Sequence, residues 1–108
     1  MSDDAFLRQA IELSASARAN GNLPFGAVLV LDGEVLLTAE NATLTTGDVT
    51  RHAEIDLVRA TAGWDRAVLA GATIYASGKP CPMCTGAIEL AGIGRVVFGV
   101  DATTLPGF

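Results

Sequence analysis

Histidine and cysteine are nearly absent from this chain, with one His and two Cys in 108 residues. Two cysteines cannot build the disulfide scaffold of a small secreted domain, and their Cys-x-x-Cys spacing fits a reducing compartment. No apolar stretch approaches the roughly 20 residues that a membrane span needs. Basic residues are few as well, seven Lys and Arg against twelve Asp and Glu, for a formal net charge of −5. They are scattered, whereas binding a nucleic-acid backbone needs a cluster, so nucleic acid is not an expected partner, and neither is a membrane. Ser2-Asp3-Asp4 is acidic where an export signal is basic, and the expected location is cytoplasmic. Repeats, low-complexity tracts and internal linkers are also lacking. What is present is apolar: hydrophobic residues make up 50% of the chain, enough for a packed core and too many for disorder. A length of 108 residues fits one domain over 1–108.

Periodicity divides that domain into elements. Asp3 or Asp4 can cap a first helix in which Phe6, Leu7, Ala10, Ile11, Leu13, Ser14 and Ala17 form one stripe. Asn20-Gly21-Asn22 stops it with residues that tolerate left-handed backbone. Residues 25–31 read as a strand, Asp32-Gly33 as a tight hairpin turn, and 34–39 as the antiparallel partner. Residues 40–49 read as a loop, followed by a second helix from near Thr50 to about Gly63. A loop around Trp64, a packing lid on the core, leads to a strand at 72–77, a helix behind it, a break at Gly92–Gly94 and a last strand at 95–100. A strand–helix–strand crossover runs parallel, so the predicted sheet is mixed. The two later helices then begin at the same edge of that sheet.

The scarce sulfur and imidazole groups lie at those helix starts. Pro80-Cys81-Pro82-Met83-Cys84 follows the apolar run at 72–76 and opens the helical pattern at 85–91. Residues three apart on a helix are surface neighbours, about 5–6 Å between Cβ atoms. Two thiolates there can converge on one tetrahedral Zn²⁺ at about 2.3 Å each. The helix N-terminus favours negative charge and helps keep both sulfurs as thiolates. Pro80 sits at the helix edge, where a missing N–H does no harm. The same pattern also describes a thioredoxin-like redox pair, and Cys-x-x-Cys alone does not separate the two. Upstream, the only histidine stands two residues before a carboxylate in His52-Ala53-Glu54. Together the segments spell H-x-E…P-C-x-x-C, the signature of zinc-dependent nucleobase deaminases.

On these residues the chain resembles the cytidine deaminase-like superfamily, and within it the guanine, cytosine and tRNA-adenosine deaminase branch. The resemblance runs from about Phe6 to Val100 and includes Pro24-Phe25-Gly26-Ala27-Val28. It implies an α/β fold of three α-β-α layers around a mixed central sheet. Members of this branch continue past the strand at 95–100 with another helix, usually a fifth strand and a terminal segment. C-terminal elements are therefore expected to be missing here, or their place taken by a second subunit. The resemblance also implies a homodimer, with Ile88, Leu90, Ile93 and Val97 as apolar surface in excess of what one short chain covers.

Three protein ligands, His52, Cys81 and Cys84, leave a fourth position on zinc for water, which marks a catalytic rather than a closed structural site. Glu54 is then the general acid–base, taking the water's proton, delivering it to a ring nitrogen and protonating the departing ammonia. Positions two apart do not share a helix face, so His52 and Glu54 are expected in a first turn, leaning past the helix end. The backbone N–H groups of Ala53 and Cys81 are candidates to hold a substrate oxygen. The resemblance assigns Asn41 to hydrogen-bonding the base and sets Phe25 beside the pocket. The competing roles are an Asx-turn for Asn41 and core packing for Phe25. Met83, between the ligands, is either core or pocket lining. Lys79 stands where members of the branch commonly carry an acidic residue, and either adds positive charge near the thiolates or points to solvent.

The implied function is zinc-dependent hydrolytic deamination of a free nucleobase or nucleoside. Guanine comes first, on Gly21-Asn22-Leu23-Pro24-Phe25-Gly26 and Asn41…His52-Ala53-Glu54. Cytosine or cytidine follows, because Cys84-Thr85-Gly86-Ala87-Ile88 resembles the cytosine enzymes, and tRNA adenosine is set against the acidic charge. Two other classes compete. A thiol–disulfide oxidoreductase leaves His52 and Glu54 without a role. A structural zinc module needs a fourth protein ligand, and with no spare Cys or His only a carboxylate such as Glu54 could supply it.

Overall fold

The computed structural model describes residues 2–100. Nine elements follow in order: α1 (Asp3–Ala19), β1 (Gly26–Leu31), β2 (Glu34–Glu40), α2 (Thr43–Thr46), α3 (Ala53–Ala60), α4 (Arg66–Ala70), β3 (Thr73–Gly78), α5 (Pro82–Ala91) and β4 (Arg95–Val100). The sheet order is β2-β1-β3-β4. β1 pairs antiparallel with both β2 and β3, while β3 and β4, joined across α5, run parallel. The sheet is therefore mixed, as the element order required.

Successive strand residues face opposite sides, and the two sides bury different partners. Ala27 and Leu29 of β1 and Ile74 and Ala76 of β3 meet Ala53 and Leu57 of α3, Leu69 of α4, and Ile88 of α5. Val28 and Val30 of β1 and Tyr75 of β3 meet Phe6 of α1. The Phe6 and Tyr75 rings lie 5.1 Å apart between centroids. The result is three layers: α1 on one face, the sheet in the middle, and α3, α4 and α5 on the other. α1 lies so close to β1 that a Cβ on Gly26 would come within 2.5 Å of the Ala10 carbonyl oxygen.

The hairpin turn at Asp32-Gly33 forms as expected, with φ of 52° and 77°, the left-handed pair of a type I′ turn. Other boundaries differ from the sequence reading. Neither Asp3 nor Asp4 caps α1; Ser2 holds the cap position without a side-chain bond. The Asp3 carboxylate instead accepts the Tyr75 hydroxyl at 2.6 Å and Arg95 Nη2 at 2.6 Å. Ile11, assigned to the buried stripe, is 47% exposed. Phe25 precedes β1 because its N–H closes a tight turn onto the Leu23 carbonyl at 2.8 Å, around Pro24. The loop at 40–49 contains α2, and the loop around Trp64 contains α4, whose first turn is capped by Asp65 Oδ1 accepting the Ala67 N–H at 2.7 Å. α3 starts at Ala53 rather than near Thr50, since Asp48 holds Thr50 and Arg51 in a turn. Trp64 packs against the core as expected. The apolar excess around α5 is smaller than expected: Ile88 and Ile93 are buried and Val97 packs against the α1-side core, leaving Leu90. Among the described residues no helix is long and apolar enough to cross a membrane.

Candidate functional site

α3 and α5 begin side by side, with His52 at the N-cap position of one and Cys81 at that of the other. Pro82 fills the first position of α5, where the helix needs no N–H, and this places Cys84 at the third. Cys81 Sγ lies 3.6 Å from His52 Nδ1, Cys84 Sγ lies 3.5 Å from the same nitrogen, and the two sulfurs are 3.5 Å apart. A tetrahedral zinc with ordinary Zn–N and Zn–S bonds needs donor separations of about 3.5–3.8 Å, so the triangle has the size of one face of such a site. A disulfide would require about 2.05 Å, and both cysteines are free. Among the described residues this trio is the one group of His, Cys, Asp or Glu donors close enough to share a metal ion. Glu54 falls outside it, and among the described residues no fourth donor joins the trio.

Electrostatics point the same way. Burial pushes the Cys84 thiol up, and the Glu54 carboxylate and Cys81 push it further. At Cys84 burial and the neighbouring carboxylate oppose the help that the helix N-terminus gives the thiolate. A buried thiol in that setting ionises when a cation is supplied, so the donor set fits Zn²⁺. Glu54, second residue of α3, is 7% exposed, and burial raises its carboxyl above the ordinary range. Its own backbone N–H, His52 and the Cys84 thiol draw it part of the way back. Just outside the trio, Arg51 holds Asp56 through Nε and Nη2 at 2.9 and 3.1 Å, closing the turn before His52 onto α3.

A cavity of about 110 Å³ opens on this cluster, lined by Leu23, Phe25, Asn41, His52, Glu54, Lys79 and Cys81. The structure thus brings together the residues expected to hold metal, move protons and contact the base. Asn41 is buried and closes the Asx-turn, its Oδ1 accepting the Thr43 N–H at 3.0 Å and the Thr43 hydroxyl at 2.9 Å, and it also borders the cavity. Phe25 is half-buried on the cavity wall rather than in the core. Ala53 sends its methyl into the core, and its N–H stands at the first helical position, where no intrahelical acceptor exists. Met83 is neither core nor pocket lining; its side chain is more than a third exposed. Lys79 is exposed yet reaches the cavity, and Leu23 is a lining residue the sequence reading missed. Its position one residue before Pro24 was the available signal, because the Leu23–Phe25 turn carries both side chains to the same wall.

Comparison with known proteins bears on this arrangement. Residues 1–100 match the family described as the cytidine and deoxycytidylate deaminase zinc-binding region. The tRNA-specific adenosine deaminase of Bacillus subtilis (strain 168) is 38% identical over 101 residues, covering 90% of this chain and 61% of its own. The probable cytosine deaminase of Schizosaccharomyces pombe is 39% identical over 106 residues, covering 95% and 63%. The X-ray structure of guanine deaminase from Bacillus subtilis superposes with a TM-score of 0.83 at 34% identity, covering 95% of this chain and 67% of that one. The chain spans about three fifths of the length of the first two.

Proposed function

The chain belongs to the cytidine and deoxycytidylate deaminase family, and from that premise we propose that it deaminates a free nucleobase or nucleoside by hydrolysis, guanine first, releasing ammonia. The observation that carries the reading is a buried carboxylate, Glu54, beside a three-donor metal group at the wall of one small cavity. His52, Cys81 and Cys84 would hold Zn²⁺, which supplies the Lewis acidity that lets water react near neutral pH. Glu54 accepts a proton from the attacking water and passes it to a ring nitrogen, then takes the second proton from the hydroxyl now on the ring carbon and gives it to the exocyclic amine as it leaves. Water oxygen replaces nitrogen on the ring carbon, and the amine departs as ammonia. With its Oδ1 engaged by Thr43, Asn41 keeps its Nδ2 amide as a donor for an acceptor atom on the base. The Ala53 and Cys81 N–H groups, at helix starts, suit a substrate oxygen.

Small size and acidic charge favour a free base over a polynucleotide, which would need a basic surface. The 38% identity to a tRNA-specific adenosine deaminase is the observation on the other side. We further read the working form as a homodimer. The face made by α3, α4 and α5 carries a groove of about 510 Å³ beside Trp64 and Arg66, and Leu90 there is 83% exposed.

The test measures ammonia release from guanine, cytosine, cytidine and a tRNA anticodon stem-loop, together with particle mass by light scattering. Turnover of a free base or nucleoside by a particle of twice the chain mass is expected. Turnover confined to the stem-loop overturns the substrate reading, and a monomer overturns the assembly.

A further inference from the structure

We propose that Asn22 is a positioning residue for this site: by holding the start of α2 it fixes the Asn41 side chain and the Leu23 wall of the cavity. The proposal rests on Asn41 contacting the base.

The physical problem is the four-residue helix itself. A helix that short has no stability of its own, and its first amides have no acceptors within it. Ala42 occupies its cap position and offers no side-chain oxygen. Packing holds it at its first residue alone: Thr43 is buried, but Leu44 is 63% exposed and Thr45 and Thr46 lie in solvent. Two asparagines, one just ahead of the helix and one from a distant segment, supply the missing acceptors. Asn41 Oδ1 takes the N–H and hydroxyl of Thr43. Asn22 Oδ1 takes the N–H groups of Leu44 and Thr45 at 3.1 and 3.0 Å, and the Thr45 hydroxyl at 3.2 Å. All three leading amides of α2 therefore end on side-chain carbonyls.

Asn22 makes these bonds across 22 and 23 residues of sequence, from the connection between α1 and β1. Gly21, at φ 88°, turns the chain immediately before it. The next residue is Leu23, and Phe25 follows two further on, both on the cavity wall. One carbonyl thus latches the segment carrying two apolar walls onto the segment that fixes the polar contact. Without it, two amides lose their acceptor, α2 frays, and the Thr43 donors no longer pin Asn41 Oδ1. The Asn41 amide then rotates away from the cavity.

Steady-state kinetics of the zinc-loaded full chain, on the base turned over fastest, compare wild type with Asn22→Ala, Asn22→Asp and Asn41→Ala. Asn22→Ala is expected to raise KM about tenfold with kcat within about twofold, because a contact is misplaced while Glu54 is untouched. Asn22→Asp keeps an oxygen that accepts the same three bonds and is expected to restore KM. Amide exchange over residues 42–46, read by mass spectrometry, should quicken in Asn22→Ala and return to normal in Asn22→Asp. A purely structural role would lower kcat through lost folded protein and leave KM alone, and that result overturns the proposal. So does unchanged exchange at 42–46. A raised KM in Asn41→Ala with normal KM in Asn22→Ala sinks the positioning role alone. Normal KM in Asn41→Ala sinks the base contact and this inference with it.

Discussion

In the proposed reaction Glu54 would meet two opposed demands, burial beside the substrate and ionisation for proton transfer. A carboxylate out of water is costly, and burial raises it, while the neighbouring N–H, imidazole and thiol offset part of that cost. Replacing it by glutamine keeps size and shape and removes only the proton-carrying function. Glu54→Gln is therefore expected to bind zinc as wild type does and to lose about 10²–10⁴-fold in kcat. Elemental analysis and ammonia release on the same preparation check both halves; a variant turning over at the wild-type rate would leave Glu54 a mere helix residue. The chemistry-bearing residues were readable in the sequence because each motif is local, His-x-Glu at one helix start and Cys-x-x-Cys at another. Leu23 carried only the weak signal of its place before Pro24, since which loop side chains face a pocket depends on how distant segments meet. Asn41 was readable only as two competing roles; the fold shows the Asx-turn and places the residue at the cavity wall.

Among elements, strands and long helices followed their periodicity, while the short helices did not. α4 carried its own signal, Asp65 ahead of an Arg-Ala-Val-Leu-Ala run, and could have been found. α2 carried only the local Asx-turn at Asn41, because its other acceptor comes from residue 22, and only tertiary structure brings that one there. α1 illustrates a different non-local effect. Its first residue serves the sheet: Asp3 ties the helix start to β3 and β4 through Tyr75 and Arg95. The Arg95 and Tyr75 bonds hold the Asp3 carboxyl below its ordinary value of 3.8. A lowered folded value means that the tie is fully present above that ordinary value and is lost as pH falls through the folded one. Asp3→Asn is expected to flatten the acid limb of a thermal-midpoint profile and to leave the neutral region little changed. An acid limb identical to wild type would show that the cluster contributes nothing measurable, as many exposed ion pairs do.

At the scale of the molecule, the sheet separates two cores that share strands but not side chains. Phe6, Val28, Val30 and Tyr75 pack on one side, and Leu29, Leu57, Ile74 and Ile88 on the other, where the site is built. Substitutions on the α1 side are thus remote from the chemistry. The three donors are also remote from one another in sequence, since His52 and Cys84 lie 32 residues apart. A metal that joins them turns an open chain into a closed ring around α3, α4 and β3, and a ring has fewer unfolded conformations to lose. By the entropy of a disulfide across a span of that length, the constraint is worth about 3–4 kcal/mol if the ion stays on the unfolded chain. If the ion leaves on unfolding, its binding energy stabilises the fold instead. Either way, a zinc ion held by these three donors would act as a tether as well as a reagent. Stripping it with a chelator should lower the urea midpoint by at least about 1 M, and restoring zinc should return it. A midpoint indifferent to zinc would mean that the apoprotein already holds these segments together unaided.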